Sequence, residues 1–102
     1  MGLLGNLFGS SKASLNDYLS NGAAIIDVRT PSEYQGGHVA GSKNIPLQSI
    51  ESRLREIKAI NKPIILCCAS GMRSGQATSF LKKQGLDCIN GGSWTKVNAA
   101  TV

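Results

Sequence analysis

Two short apolar runs, Ala23-Ala24-Ile25-Ile26-Asp27-Val28 and Pro63-Ile64-Ile65-Leu66-Cys67, are rich in branched residues and predict strands buried on both faces. Cys88-Ile89-Asn90 predicts a last short strand before Gly91-Gly92, and Lys43-Asn44-Ile45-Pro46 a brief extended segment. Between the strands the apolar period lengthens. Leu47, Ile50, Leu54 and Ile57 recur at helical spacing opposite Ser52, Arg53, Arg55 and Glu56, which predicts one amphipathic helix. A second helix is expected from about Ser74 to Gln84. Ala77, Phe80 and Leu81 form its apolar face, Lys82 and Lys83 complement its carboxyl-terminal dipole, and Gly85 ends it. Ser14 can cap a short helix bearing Leu15, Tyr18 and Leu19 that closes at Asn21-Gly22, while Trp94 and Val97 suit a terminal helical turn. Arg29 to Glu33 reads as a polar loop, and Gly36, Gly37 and Gly41 mark a turn-rich stretch around His38-Val39. Strands alternating with helices predict an α/β domain with a mainly parallel sheet, whose ligands bind beyond the carboxyl ends of the strands.

Composition narrows this picture. The 102 residues suit one domain, and 41% hydrophobic with 17% charged residues is ordinary for a globular chain. Eleven Lys and Arg against six Asp and Glu give a formal charge of +5, but the basic residues are scattered, with no run of more than two and no interleaved aromatics. Nucleic acid is therefore not an expected partner. Residues 1–11 read as a flexible apolar tail, with Leu3, Leu4, Leu7 and Phe8 suited to weak docking, ahead of a domain over 12–102. The tail lacks the pattern of a secretory leader, and no stretch is long enough to span a membrane, so the expected location is the cytoplasm and no stable membrane insertion is expected. A monomer is expected. Cys67, Cys68 and Cys88 are odd in number and show no C-x-x-C spacing, and His38 is the single histidine, so neither a disulfide framework nor a metal site or other cofactor is expected.

The chemistry concentrates after the second apolar run. Cys68 follows directly on the predicted strand, Ala69-Ser70-Gly71-Met72 lead to Arg73, and a helix begins at Ser74. Backbone N–H groups of a tight loop, joined by those of a helix amino terminus, can surround a negative centre. A cysteine at the middle of such a ring has its pKa lowered towards a thiolate near neutral pH. Gly71 admits a backbone conformation closed to other residues, and Arg73 adds a permanent positive charge. Cys67 continues the apolar strand and should point to the opposite face, so it and Cys88 are expected to be inert core residues.

The chain resembles the rhodanese family. Ile25-Ile26-Asp27-Val28-Arg29-Thr30-Pro31-Ser32-Glu33-Tyr34 with Gly37-His38-Val39-Ala40-Gly41-Ser42-Lys43-Asn44-Ile45-Pro46 is similar to the family's first signature. Cys68-Ala69-Ser70-Gly71-Met72-Arg73-Ser74 is similar to its active-site loop and Gly91-Gly92-Ser93-Trp94 to its closing segment. The resemblance implies an α/β fold with a five-stranded, mainly parallel sheet flanked by helices on both faces. It implies a sulfurtransferase in which Cys68 takes a sulfane sulfur from a small anionic donor, thiosulfate or a persulfide, and yields it to a thiol or cyanide. Backbone N–H groups from Ala69 to Ser74 would hold the persulfide anion. By the same resemblance Asp27 and Arg29 are framework residues, with Arg29 also a candidate to face the pocket, and Glu33 is a structural partner for an arginine. His38 belongs to the signature rather than to catalysis. Thiosulfate-using members often carry basic residues within the loop, whereas here only Arg73 is cationic, which puts less weight on thiosulfate than on persulfide chemistry.

Two other readings stay open at this point. Cys67 through Arg73-Ser74 also satisfies the pattern of tyrosine-phosphatase-like enzymes, which would make Cys67 the nucleophile of a phosphatase or arsenate reductase on the same fold. No candidate acid for a phosphate leaving group stands nearby. Rhodanese-like domains also serve as docking or regulatory modules, usually after losing the cysteine; retention of Cys68, Gly71 and Arg73 favours chemistry but leaves room for a sulfur carrier with a protein partner.

Overall fold

The computed structural model describes residues 13–102; the predicted apolar tail lies outside them. The chain runs α1 (Leu15–Ser20), β1 (Ala24–Asp27), α2 (Pro31–Gln35), β2 (Lys43–Asn44), a 3-10 turn (Leu47–Ser49), α3 (Leu54–Ala59), β3 (Ile64–Cys68), α4 (Met72–Lys83), β4 (Cys88–Ser93) and α5 (Trp94–Ala100). The sheet is parallel throughout, in the order β2-β1-β3-β4.

Among the described residues four strands stand where five were expected. Before β1 the described chain forms α1, which starts on a reciprocal cap: Ser14 accepts from the Asp17 N–H while the Asp17 carboxylate accepts from the Ser14 N–H.

β3 is buried along its whole length, and its side chains alternate between two cores. Ile64, Leu66 and Cys68 join Ile26, Val28, Ile57, Ala77 and Leu81 beneath α3 and α4. Ile65 and Cys67 join Val39 and Val97 on the other side, where Leu15, Tyr18, Leu19 and Trp94 of α1 and α5 pack.

Three local departures have physical causes. The expected long helix from Leu47 is broken into the 3-10 turn and α3, with Ile50 buried between them. Ser52 Oγ donates to the Ser49 carbonyl, an alternative that this Ser-rich link offers the backbone in place of a continuous helical ladder. The expected polar loop after β1 is instead α2. Thr30 and Glu33 form a second capping box with Pro31 at the first helical position, a sequence signal in its own right. Gly91-Gly92 continue β4 through a register shift, in which Leu66 pairs with Asn90 but Cys67 with Gly92. A Cβ on Gly91 would lie 2.7 Å from Val97 and 2.8 Å from Ile65, so the strand can bulge inward there only without a side chain.

Candidate active site

Cys68 is the last residue of β3, and α4 begins four residues later. The connection is tight because Gly71 sits at φ 102°, a left-handed conformation, at the cap of α4. That turn folds the chain back over the cysteine. Gly71 N–H donates to Cys68 Sγ at 3.0 Å, Ser74 N–H at 3.4 Å and the Ser74 hydroxyl at 3.3 Å. The amino terminus of α4 therefore points its free N–H groups and its dipole at one sulfur atom.

Electrostatically, burial is the largest single influence on Cys68 and opposes ionisation, since the residue is 0% exposed. The Ser74 hydroxyl and the N–H groups of Ser74, Gly71 and Ser70 outweigh it, holding the thiol below its ordinary value. The other two cysteines lack such a ring. Burial pushes Cys67 up to about 12, with the Asp27 carboxylate adding to the effect, and burial pushes Cys88 up to about 11. All three are free thiols.

The predicted site residues divide into three groups. Cys68, Gly71 and Ser74 meet at the base of the loop. Ala69, Ser70 and Met72 form its exposed crown, with Met72 76% exposed. Arg73 and Arg29 are engaged elsewhere. The Arg73 guanidinium binds the Glu33 carboxylate in a two-pronged pair at 2.8 and 3.0 Å, tying the loop to α2, as the structural reading of Glu33 expected. This bond, with the Thr30 N–H, draws the Glu33 carboxyl down to about 2. Arg29 is 5% exposed, clamps Asp27 through Nε and Nη2, donates to the carbonyls of Glu33 and Gly37, and lies 4.9 Å over the Trp94 ring. It holds the framework together. His38 stacks on Tyr34 and its Nδ1 lies 2.8 Å from the Tyr34 carbonyl.

Sequence reasoning missed Asn90. Its side-chain N–H donates to the Gly71 carbonyl at 2.9 Å, and its side-chain oxygen faces the Ser74 hydroxyl at 2.7 Å and the Gly92 N–H at 3.0 Å. The only signal was a polar residue interrupting a short apolar strand. The Ser74 hydroxyl was likewise overlooked beside its backbone N–H. A concavity lined by Tyr18, Pro63 and Asp87 sits at the opposite, amino-terminal end of β3.

The family model described as a rhodanese-like domain matches residues 11–100. The chain is 46% identical over 63 residues to an uncharacterized protein YqhL of Bacillus subtilis, covering 62% of this chain and 49% of that protein. It is 38% identical over 65 residues to the thiosulfate sulfurtransferase GlpE of Pseudoalteromonas translucida, covering 64% of this chain and 61% of the relative. It is 43% identical over 61 residues to a putative sulfur carrier protein YrkF of Bacillus subtilis, covering 60% of this chain and 32% of the relative. The matches thus span between about a third and three-fifths of these relatives' length. A crystal structure of a rhodanese-related protein from Thermoplasma volcanium superimposes with a TM-score of 0.71 at 26% identity, over 87% of this chain and 90% of that one. The sulfur-centred loop at the end of β3, the parallel sheet around it and the family match over residues 11–100 agree: the chain belongs to the rhodanese-like domain family.

Proposed function

We propose that this domain transfers a sulfane sulfur through a persulfide on Cys68. The observation that carries the reading is the convergence of Gly71 N–H, Ser74 N–H and Ser74 O–H on a single sulfur at the head of α4. In the first half-reaction the Cys68 thiolate attacks the outer sulfur of the donor. A new S–S bond forms on Cys68, the donor S–S bond breaks, and sulfite or a thiolate leaves with the bonding electron pair. In the second, a thiolate or cyanide attacks the outer sulfur of the Cys68 persulfide, which restores the Cys68 thiolate and releases a new persulfide or thiocyanate. Donors aimed at the sulfur stabilise each anion in turn without having to reorganise.

The crown bears on the choice of donor. Ala69, Ser70 and Met72 are uncharged, and the one cation of the loop, Arg73, is already paired with Glu33. A singly charged persulfide suits that mouth better than dianionic thiosulfate, which would have to be desolvated without a free counter-charge. The three free cysteines suit a reducing compartment such as the cytoplasm.

Steady-state kinetics test the reading. With a low-molecular-weight persulfide or thiosulfate as donor and a small thiol or cyanide as acceptor, double displacement gives parallel reciprocal plots that require Cys68. Intersecting plots, or turnover that survives Cys68→Ala, would sink it. A second reading, a sulfur carrier that serves one protein partner, is favoured by the name of the relative YrkF and by the exposed Met72 beside the loop. A carrier loads Cys68 but turns over slowly with cyanide.

A further inference from the structure

The contacts of Asn90 go beyond anything a persulfide mechanism requires by itself. Asn90 stands on β4, outside the loop, yet its amide touches three points around it: the Gly71 carbonyl, the Ser74 hydroxyl and the Gly92 N–H. The helix facing it is shaped to admit it. Gly75 lies in the first turns of α4 with an ordinary helical φ, where glycine disfavours the helix, and a Cβ there would come 3.2 Å from Asn90 Nδ2. The glycine leaves room for this one side chain.

A proton count gives the arrangement its consequence. Ser74 Oγ carries one hydrogen and lies 2.7 Å from Asn90 Oδ1 and 3.3 Å from Cys68 Sγ. With Cys68 a neutral thiol, S–H can donate to Ser74 Oγ while the hydroxyl donates to Asn90 Oδ1. Once the sulfur is an anion it can only accept, and the hydroxyl turns to it, leaving Asn90 Oδ1 with the Gly92 N–H. Resting on the persulfide reading, we propose that Asn90 is a positioning residue for Cys68: it braces the Gly71 carbonyl and competes for the Ser74 hydroxyl proton, and so controls how much hydrogen bonding the sulfur receives.

Asn90→Asp separates this role from simple packing, because it keeps shape while replacing a donor with a charged acceptor. The carboxylate loses the bond to the Gly71 carbonyl, holds the Ser74 proton more firmly and places negative charge beside a forming thiolate. All three effects disfavour the anion.

The experiment measures the rate of Cys68 alkylation by iodoacetamide against pH, with the modified peptide identified by mass spectrometry, in wild type, Asn90→Asp, Ser74→Ala, the double variant and Gly75→Ala, each checked for folding by thermal melting. The expected result is a midpoint about one pH unit higher in Asn90→Asp, hence alkylation about ten-fold slower at pH values well below the wild-type midpoint. That shift should shrink clearly in the Ser74→Ala background. Gly75→Ala, which favours the helix but pushes on Asn90, should raise the midpoint by less. A midpoint that is unchanged in every folded variant, or a shift as large without the Ser74 hydroxyl as with it, overturns the proposal. Alkylation involves no sulfur donor, so its outcome stands apart from whether a persulfide ever forms.

Discussion

Cys67 and Cys68 are neighbours at the end of one strand, and the two faces they point to end in opposite ways. On the Cys67 face the strand end is closed: Asp27, at 0% exposure and in register with Cys67, is clamped by Arg29, which lies against Trp94. Burial, reinforced by this carboxylate, pushes the Cys67 thiol up. The Cys68 face is built differently. The strand runs into a left-handed glycine and the free N–H groups of α4, and Cys68 is held below its ordinary pKa. Both cysteines are shut off from solvent and burial raises both thiols; at Cys68 the Ser74 hydroxyl and the backbone donors outweigh it, whereas no such ring of donors offsets it at Cys67.

The sharpest way to break this comparison is to exchange the residues separately. Cys68→Ser should abolish sulfur transfer, whereas Cys67→Ala should retain it and cost about 1 kcal/mol of stability, measured by urea unfolding. Equal loss from both would mean that the faces are not distinct. The next largest effect concerns the closed face. Arg29→Met leaves the Asp27 carboxylate buried and unpaired and should destabilise by about 3–5 kcal/mol; a cost below about 1 kcal/mol would show that the pair does not hold that face shut. On the open face, Gly71→Ala forces a Cβ into φ 102° and to 3.3 Å from the Gly92 Cα, which should cost about 1–3 kcal/mol and slow Cys68 alkylation at neutral pH. Retained reactivity there would remove the turn from the account.

The smallest effect is expected at the link between the loop and α2. The Glu33 carboxyl is drawn below its ordinary 4.5 to about 2, so its pairing with Arg73 adds stability above pH 4.5 that fades as pH falls towards 2. Glu33→Gln should flatten the acid limb of a melting-temperature profile over that interval and change little at neutral pH. An unaltered acid limb would show that the exposed pair contributes nothing measurable.

Much of this was legible in the sequence, and the gaps have local causes. The strands could be read because short apolar runs rich in branched residues have few alternatives, and the loop because cysteine, glycine and a helix start fall at one strand end. Period two along β3 placed Cys67 and Cys68 on opposite faces before any geometry was known. Arg73 was read as a charge for the loop, but its partner Glu33 is forty residues away, and only the fold shows that the two carboxylate oxygens take up its donors. Arg29 is ambiguous in the sequence for the same reason. Asn90 was invisible because its role depends on the register of β4 beside α4, and a polar residue before Gly91-Gly92 reads as the end of a strand.

The central claim is that Cys68, and neither Cys67 nor Cys88, carries the transferred sulfur. Intact mass measurement after brief incubation with a persulfide donor tests it most directly. Wild type and Cys67→Ala should each gain the mass of one sulfur atom, removed again by an acceptor thiol, and Cys68→Ala should gain none. A sulfur that persists on Cys68→Ala, or fails to appear on folded wild type with any donor, would contradict the account.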